Sequence, residues 1–299
     1  MTSGIIYRGI LTEEEGKTFL LGEDQRKWLE DERIWSGYVL HFSGKPVLAR
    51  RLPQRDYDTG RPILLLWPDE PASPAPFVEV YFNERLVKYP ASLLGHLAVN
   101  VNHEVFNFSH KINENEALSP EEYFFRPALG EFAPDPETGR DGGADPGKPY
   151  HDKFGRLFMR TIHVLRIDGL DVPELSRFLH EQLDIVRSAP PNRRRPGYYA
   201  DFNPFTRNCA TLIRDGFRHV GFTDIKGIFP RDLFVNMAYF FLRKNRDLSR
   251  RVSLRILRQL KVPEAAASAL SPLLNPVNRW KNGRLPEPIG KAGKALDRQ

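Results

Sequence analysis

Cysteine is nearly absent from this chain: Cys209 is the only one among 299 residues. A single cysteine excludes an internal disulfide and every zinc site that needs two or more cysteines. The sequence also lacks a His-Glu-x-x-His pair, a Walker-type or dinucleotide-binding glycine motif, and a Gly-x-Ser-x-Gly turn. We therefore expect no metal, no cofactor and no serine α/β-hydrolase chemistry.

Targeting signals and long apolar runs are missing as well. Residues 1–8 contain no basic stretch leading into an apolar run, so they do not resemble a secretory signal. No hydrophobic run approaches the length of a transmembrane helix. We expect a protein that is cytoplasmic as synthesised. It would reach an envelope substrate through a dedicated secretion machine, as a bacterial effector or toxin with a delivery or immunity partner.

The charge balance is basic. The 44 Lys and Arg residues exceed the 38 Asp and Glu residues, which gives a net charge of +6 and an isoelectric point of about 9.4. This excess favours an anionic partner, such as acidic lipid or a polyanionic cell wall. The pattern of interleaved aromatic and basic residues that is typical of single-strand binding is missing, so we expect no nucleic-acid partner.

The length allows one main domain with appendages, and the mixed patterns predict an α+β fold in three parts. Residues 1–72 are predicted to form a small β-barrel-like accessory domain, because short apolar runs alternate with turn signals. The runs are 5–11, 18–21, 37–42, 46–49 and 62–67. Four prolines within residues 68–76 predict a linker to the main domain, residues 77–240.

Residues 241–299 form the third predicted part. Basic and apolar residues interleave over 241–261, which predicts a basic amphipathic helix. Such a helix would either make peripheral contact with an anionic membrane or pack its apolar stripe on the core. The chain from about Asn282 is predicted to be a disordered tail. A Gly/Pro/Asp-rich segment at 135–147 suggests calcium superficially, but it lacks EF-hand spacing and is predicted to be a surface insertion.

A β-hairpin is predicted around His96. Asn102-His103 is a suitable two-residue turn between two alternating apolar strands. In that register, one face is apolar and the other is polar. The apolar face carries Leu97, Val99, Val101, Phe106 and Phe108, and the polar face carries His96, Ala98, Asn100, Val105, Asn107 and Ser109. Asn107 then lies diagonally across from His96, within side-chain reach. His103 and His110 stay open as replacements for His96, although strand parity disfavours His110 and His103 lies at the turn tip.

Cys209 is predicted to begin a helix. Asn208 is a good N-cap, and apolar residues follow at helical spacing up to Gly221. In a first helical turn, the free N–H groups and the helix dipole lower the pKa of a thiol and increase its reactivity. The alternative is a buried structural cysteine, because free cysteine is among the most buried residue types. A thiol nucleophile needs a base and an orienting group, and His96 and Asn107 match those roles.

Basic residues near Cys209 are candidates for binding an anionic substrate. Arg193, Arg194 and Arg195 follow two prolines in a predicted loop upstream of the cysteine. Arginine binds phosphate well, so this loop would act as an anion clamp, with a plain solvated loop as the alternative. Arg207 and Asn208, which directly precede the cysteine, are further candidate substrate-binding residues.

The order of these motifs resembles the circularly permuted papain-like hydrolases, which include permuted NlpC-type peptidases and lecithin:retinol acyltransferase-like proteins. In that branch, the histidine strand precedes the cysteine helix, as His96 precedes Cys209 here. Residues 160–166 resemble the strand before the family's long helix, and residues 229–233 resemble its Pro-x-Asp-Leu turn. The resemblance covers about residues 75–240 and implies an antiparallel sheet packed on helices. Asn107 departs from the histidine that lecithin:retinol acyltransferase-like members often carry as the third residue.

The resemblance implies acyl transfer through a thioester, with Cys209 as nucleophile, His96 as base and Asn107 as orienting residue. Three readings of function stay open. The first is a phospholipid acyl hydrolase or acyltransferase, favoured by the basic charge. The second is a peptidoglycan or protein amidase of NlpC type, favoured by the asparagine. The third is a non-catalytic binding module on the same scaffold, with Cys209 merely buried.

Overall fold

The computed structural model describes residues 4–30, 32–55, 61–71, 73–74, 76–88, 92–111, 114–128, 154–170, 172–244 and 251–290. Within these residues, the fold is mixed α+β, with antiparallel sheets, seven α-helices and no closed barrel. The chain divides into two compact units. Unit 1 comprises Met1–Ser73, Glu121–Met159 and Leu260–Ala266, and unit 2 comprises Pro74–Pro120, Arg160–Gln259 and Ala267–Gln299. The first division falls inside the proline-rich segment 68–76.

Unit 1 is built on one five-stranded antiparallel sheet with the strand order β3-β2-β1-β4-β5. Its strands are β1 (Tyr7–Glu14), β2 (Lys17–Leu21), β3 (Lys27–Trp28), β4 (Pro46–Arg55) and β5 (Pro62–Pro68). Its helices are α1 (Ser36–Phe42), α2 (Pro120–Phe125) and α3 (Arg156–Met159). The first residue of α2, Pro120, is counted in unit 2. The β-barrel-like prediction is therefore wrong, because β3 and β5 lie at opposite edges of an open sheet.

The prediction of a strand over residues 37–42 is also wrong. This segment is helix α1, because Tyr38 and Phe42 are four residues apart and their stacked rings lie 6.0 Å apart on one helical face. The rings of Trp35 and Phe158 join the same cluster, edge to face at 4.7 Å. The aromatic residues of this segment, which suggested a strand, therefore pack as one face of a helix.

Unit 2 is built on a six-stranded antiparallel sheet with the order β10-β9-β8-β6-β11-β14. Two further two-stranded sheets pair β12 with β13 and β7 with β15. The strands of unit 2 are β6 (Phe77–Asn83), β7 (Arg85–Leu86), β8 (His96–Val101), β9 (Glu104–Asn107), β10 (Glu116–Leu118), β11 (Ile162–Asp168), β12 (Pro191–Asn192), β13 (Arg195–Tyr199), β14 (Val252–Leu257) and β15 (Ser268–Ala269). Its helices are α4 (Val172–Ser188), α5 (Cys209–His219), α6 (Pro230–Tyr239), which continues as a π-helical turn over Phe240–Lys244, and α7 (Pro276–Asn282).

The predicted hairpin around His96 is confirmed. Strands β8 and β9 pair with Val101 opposite Glu104, and the two turn residues Asn102 and His103 have φ values of 53° and 73°. Both values lie in the left-handed region that a type I′ hairpin turn requires. The predicted apolar face of this hairpin packs in the main core together with buried residues of α4, α5 and α6.

The opposite face of the six-stranded sheet carries a buried polar network. Glu79 accepts hydrogen bonds from the Tyr81 hydroxyl at 2.7 Å, Arg255 at 3.0 Å and Arg166 at 3.4 Å. Asn100 donates to the Tyr81 hydroxyl at 2.9 Å. Burial, followed by the charge of Glu79, raises the pKa of Tyr81 well above its ordinary value. The ion pairs stabilise a carboxylate that burial alone would penalise strongly.

The predicted amphipathic helix over 241–261 is wrong. Within the described part of that segment, the π-helical turn ends at Lys244 and β14 forms the edge strand beside β11. Val252, Leu254 and Ile256 alternate with polar residues, which is the period of a strand. The predicted disorder from about Asn282 is wrong for residues 282–290: Leu285 and Ile289 are buried, and Asn282 bonds both the N–H and the carbonyl of Ile289.

No helix within the described residues is long and apolar enough to cross a membrane. The Gly/Pro/Asp-rich segment 135–147 lies outside the described residues, so its predicted role as a surface insertion stays a prediction.

Gly95, the residue before β8, allows a test of how tightly this end of the sheet is packed. Its φ is 74°, and a Cβ added there would lie 2.7 Å from the Asn83 carbonyl oxygen and 2.8 Å from the Ser271 hydroxyl. Gly221 has a φ of 95° with nothing within 4 Å of an added Cβ. We expect Gly221→Ala to cost about 1 kcal/mol of unfolding free energy from backbone strain alone. Gly95→Ala should cost about 2–4 kcal/mol because a clash adds to the strain.

Urea denaturation of the two variants and the wild type measures this difference. Equal losses for Gly95→Ala and Gly221→Ala would mean that the surroundings of Gly95 yield freely, contrary to the packing described here.

Candidate functional site

His96 and Asn107 form a hydrogen-bonded pair on the polar face of the hairpin. Their strands are in the register that sets Ala98 opposite Asn107, so His96 is the diagonal neighbour of Asn107. The His96 Nε2 lies 2.7 Å from the Asn107 Oδ1. Asn107 is buried, whereas His96 is partly exposed. The predicted proximity of these two side chains is confirmed.

The second hydrogen bond of Asn107 fixes which nitrogen of the His96 ring faces Asn107 with a proton. The Asn107 Nδ2 donates to the Glu114 carbonyl oxygen at 2.6 Å, which fixes the amide with Oδ1 towards His96. Because an amide oxygen only accepts, His96 must carry its proton on Nε2. The remaining lone pair of the neutral ring is then on Nδ1. This arrangement has the form of a base held in one tautomer by a third residue.

The other histidines of this segment have different surroundings. His103 lies at the hairpin turn with its ring 4.9 Å from that of Phe77. The His110 ring lies 4.9 Å from the Tyr198 ring and 5.5 Å from the Phe202 ring. Of the three candidate bases, His96 is therefore the one for which a hydrogen bond to Asn107 is recorded.

Cys209 is the first residue of α5, as predicted, and Asn208 is its N-cap. The Asn208 Oδ1 accepts from the N–H groups of Ala210 at 2.8 Å and Thr211 at 3.0 Å, and the Asn208 N–H donates to the Thr211 hydroxyl at 2.8 Å. The Asn208 Nδ2 donates to the carbonyl oxygens of Pro204 and Ile228. Asn208 was predicted to bind substrate, but its buried side chain is occupied by this cap. Its evident role is to fix the start of the helix.

The thiol of Cys209 lies against the end of the sheet where β8 begins. The N–H of Leu97, the residue after His96, lies within hydrogen-bonding range of the sulfur, as do the N–H groups of Ala210 and Cys209 itself. The sequence order therefore brings the thiol next to the strand that carries His96. Helix α5 reaches this position because Ala210, Ile213 and Phe217 pack in the main core.

The thiol has a raised pKa, so the predicted depression is wrong. Burial raises the pKa of Cys209 to about 11, against smaller lowering contributions from the three N–H groups and the charge of Arg160. Loss of water around the sulfur thus outweighs the helix terminus. At neutral pH the thiol holds its proton, and a nucleophilic role would require a base to remove it.

Two residues near the thiol were not among the predicted site residues. Arg160 is buried, donates to the Glu84 carbonyl oxygen at 3.3 Å and contributes positive charge at Cys209. Tyr199 is buried, and its pKa is raised by burial first and then by the charge of Asp201, with a smaller contribution from Cys209. Neither belongs to a local motif with the cysteine, so only the fold brings them to it.

The arginines that were predicted to bind an anion have separate surroundings in the structure. Arg207 forms an ion pair with Asp201 at 2.9 Å. Arg193 and Arg194 are exposed in the turn between β12 and β13, so the predicted loop is a hairpin. Arg195 begins β13, and its side chain lies outside the described part of the structure. No recorded interaction brings Arg193 or Arg194 to the thiol, and their role in substrate binding stays a prediction.

Among the described residues, no group of three or more His, Cys, Asp and Glu side chains is arranged to hold a metal ion. Comparison of the chain with protein-family models, with curated proteins and with solved structures gave no match.

The raised pKa of Cys209 predicts a specific pH profile for thiol alkylation. With a pKa of about 11, the reactive thiolate is a small fraction of the folded protein at neutral pH. The iodoacetamide rate of the folded protein should therefore rise about tenfold per pH unit from pH 7 to 10, without a plateau. Mass spectrometry of the labelled chain measures this rate, and urea-unfolded protein provides the reference with an ordinary thiol. A plateau beginning near pH 5 would instead indicate a thiolate–imidazolium pair and contradict the raised pKa.

Proposed function

We propose that this chain is a cysteine-dependent acyl hydrolase or acyltransferase. Cys209 is the nucleophile, His96 is the general base and then the general acid, and Asn107 holds the imidazole in its tautomer. The observation that carries the proposal is the His96–Asn107 hydrogen bond of 2.7 Å, oriented by the Glu114 carbonyl, next to the strand residue that contacts the thiol. A general base needs its ring held in one tautomer, and the hydrogen bond to Asn107 supplies that orientation.

The reaction begins with a neutral thiol. His96 accepts the Cys209 proton on Nδ1 as the sulfur attacks the acyl carbonyl carbon, forming a C–S bond and a tetrahedral oxyanion. The Cys209 N–H, which the Asn208 cap does not use, stabilises that oxyanion. As the C–O bond of the ester breaks, the imidazolium gives its proton to the leaving alkoxide. Water or another hydroxyl then attacks the thioester with His96 again as base, which releases the acyl product and restores the thiol.

The order of elements supports a permuted papain-like core as the scaffold for this chemistry. The histidine strand β8 comes first, then the long helix α4 after β11, then the cysteine helix α5 and a Pro-Arg-Asp-Leu start of α6. Asp232 in that last motif accepts from the N–H groups of Leu274 and Asn275, which anchors the C-terminal segment of unit 2. This assignment of fold belongs to the proposal.

We favour phospholipid acyl esters as the substrate, because the net charge of +6 favours an anionic surface. The alternative is an amide in peptidoglycan or protein, and the asparagine as orienting residue favours it. A non-catalytic binding module is the third candidate. The raised pKa of Cys209 is the observation that favours that module, because an inert buried thiol would show the same shift.

Product analysis by mass spectrometry tests the proposal. Wild-type protein is incubated separately with bacterial phospholipids and with peptidoglycan. We expect lysophospholipid and free fatty acid, with a loss of about 10⁴-fold in rate for Cys209→Ala or His96→Ala. Asn107→Ala should lose about 10²-fold, because the imidazole then samples both tautomers.

His103→Gly is the matched control, since it removes a neighbouring imidazole at a turn residue whose φ of 73° suits glycine. It should retain wild-type activity. Cleaved stem peptides instead of lysophospholipid would support the amidase. Absence of both products, together with alkylation of Cys209 only after unfolding, would reject catalysis in favour of the binding module.

A further inference from the structure

Helix α7 has its polar residues inside and its apolar residues outside. Asn278 and Asn282 are buried, and Asn278 donates to the Asp232 carboxylate at 3.0 Å. On the outer side, Val277 is 56% exposed and Trp280 is 49% exposed, and Leu274 just before the helix is 45% exposed. A helix on the surface of a water-soluble domain normally has the opposite arrangement. Large apolar side chains that share an exposed face mark a surface that binds a partner.

Basic residues from three segments of unit 2 lie on or near α7, since the charges of Lys226 and Lys244 act on Lys281 and Arg243 bonds the Arg284 carbonyl. They are Lys226, Arg243, Lys244, Arg279, Lys281 and Arg284. Arg284 stacks on the Trp280 ring with its guanidinium carbon 3.9 Å from the ring centroid, and Arg243 donates to the Arg284 carbonyl oxygen at 3.0 Å. Lys244 pairs with Asp224. We call these six residues, together with Leu274, Val277 and Trp280, the α7 surface.

The cations of the α7 surface are close enough to repel one another. Partial burial, and then the charges of Lys244 and Lys226, lower the pKa of Lys281. A cluster with six basic residues and one paired carboxylate thus carries a strong excess of positive charge. Accumulating like charge around exposed tryptophan and aliphatic side chains is costly unless an anionic surface compensates it.

We propose that the α7 surface docks the protein on an anionic lipid bilayer. Trp280, Val277 and Leu274 enter the boundary between headgroups and acyl chains, where the amphipathic indole ring is most stable. The surrounding lysines and arginines bind the lipid phosphates. This surface goes beyond the proposed chemistry at Cys209, since it binds vesicles whether or not the thiol is catalytic.

The charge also argues against a second copy of the chain as the occupant. In a two-fold dimer through this face, the same patch would meet itself, and six cations would oppose six cations. An acidic protein would satisfy only the charge, whereas a bilayer satisfies both the charge and the exposed apolar side chains. The segment 241–261, predicted from sequence to contact membranes, contributes only Arg243 and Lys244 to this surface.

Vesicle co-sedimentation with the full chain tests the docking. The probes are phosphatidylcholine vesicles with and without a quarter of phosphatidylglycerol. We expect binding that requires phosphatidylglycerol and weakens with added salt. Replacing both Lys281 and Arg284 by glutamine should weaken binding about 30-fold. The matched control replaces Arg251 and Arg258 by glutamine; both are exposed basic residues of unit 2 outside the α7 surface. Its affinity for the vesicles should stay within about twofold of wild type.

The apolar contribution is tested separately. Val277→Ser combined with Trp280→Ser should weaken binding about tenfold or more, whereas Ile185→Ser, at a residue of α4 that is 46% exposed, should not. Trp280→Phe tests insertion without loss of packing: brominated lipids should quench the wild-type fluorescence, and the variant should lose that quenching. Thermal denaturation identifies any variant that fails to fold.

Failure of this proposal and failure of the proposed chemistry are distinguishable. Wild-type binding that is absent, or unchanged in the α7 variants, overturns the docking surface whatever the activity at Cys209. Binding to phosphatidylglycerol that is lost on α7 substitution but retained in Cys209→Ala supports docking without reference to catalysis. Concentration-dependent dimers in the absence of vesicles, abolished by Trp280→Ser, would reassign the surface to self-association and overturn the proposal.

Discussion

The alternation of side chains along β8 ties the core of unit 2 to its candidate site. Leu97, Val99 and Val101 are buried in the main core, and His96 faces the other way beside Asn107. Because the side-chain period of a strand is two, a slip of one residue would place the imidazole in the core and three apolar residues on the polar face. Burial of this apolar face therefore sets the register that pairs His96 with Asn107.

A second constraint comes from the end of α5 that meets β8. The N-cap by Asn208 fixes where the helix begins, and packing of Ala210 and Ile213 fixes which side faces the sheet. Together they bring the sulfur against the Leu97 N–H. Cys209 is only partly exposed, and the desolvation of its thiol outweighs the favourable helix terminus. Because the thiol keeps its proton at neutral pH, a nucleophilic Cys209 would need a general base and not a preformed ion pair.

The C-terminal segment of unit 2 belongs to the folded structure. Asp232 accepts hydrogen bonds from two backbone N–H groups and from Asn278, and Arg231 donates to the carbonyl oxygens of Ser271 and Ile289. These polar anchors act together with the ring contact of Trp280 with Tyr239 at 5.7 Å. The consequence is that the apolar residues of α7 remain on the outside, next to a cluster of basic side chains.

The sequence by itself determined the hairpin, its turn, the facing of His96 and Asn107, and the start of α5 at Cys209. Each depends on period, capping or turn chemistry within a short stretch of chain. Predictions from local pattern were wrong for two segments whose structure depends on contacts with distant parts of the chain. The stretch 252–257 pairs with β11 instead of forming a helix, and residues 37–42 form a helix around aromatic rings supplied from elsewhere in unit 1. Only the tertiary structure brought Arg160 and Tyr199 to the thiol and reversed the sign of its pKa shift. The physical reason is that desolvation and long-range charge depend on segments far apart in the chain, whereas periodicity and capping depend on neighbours.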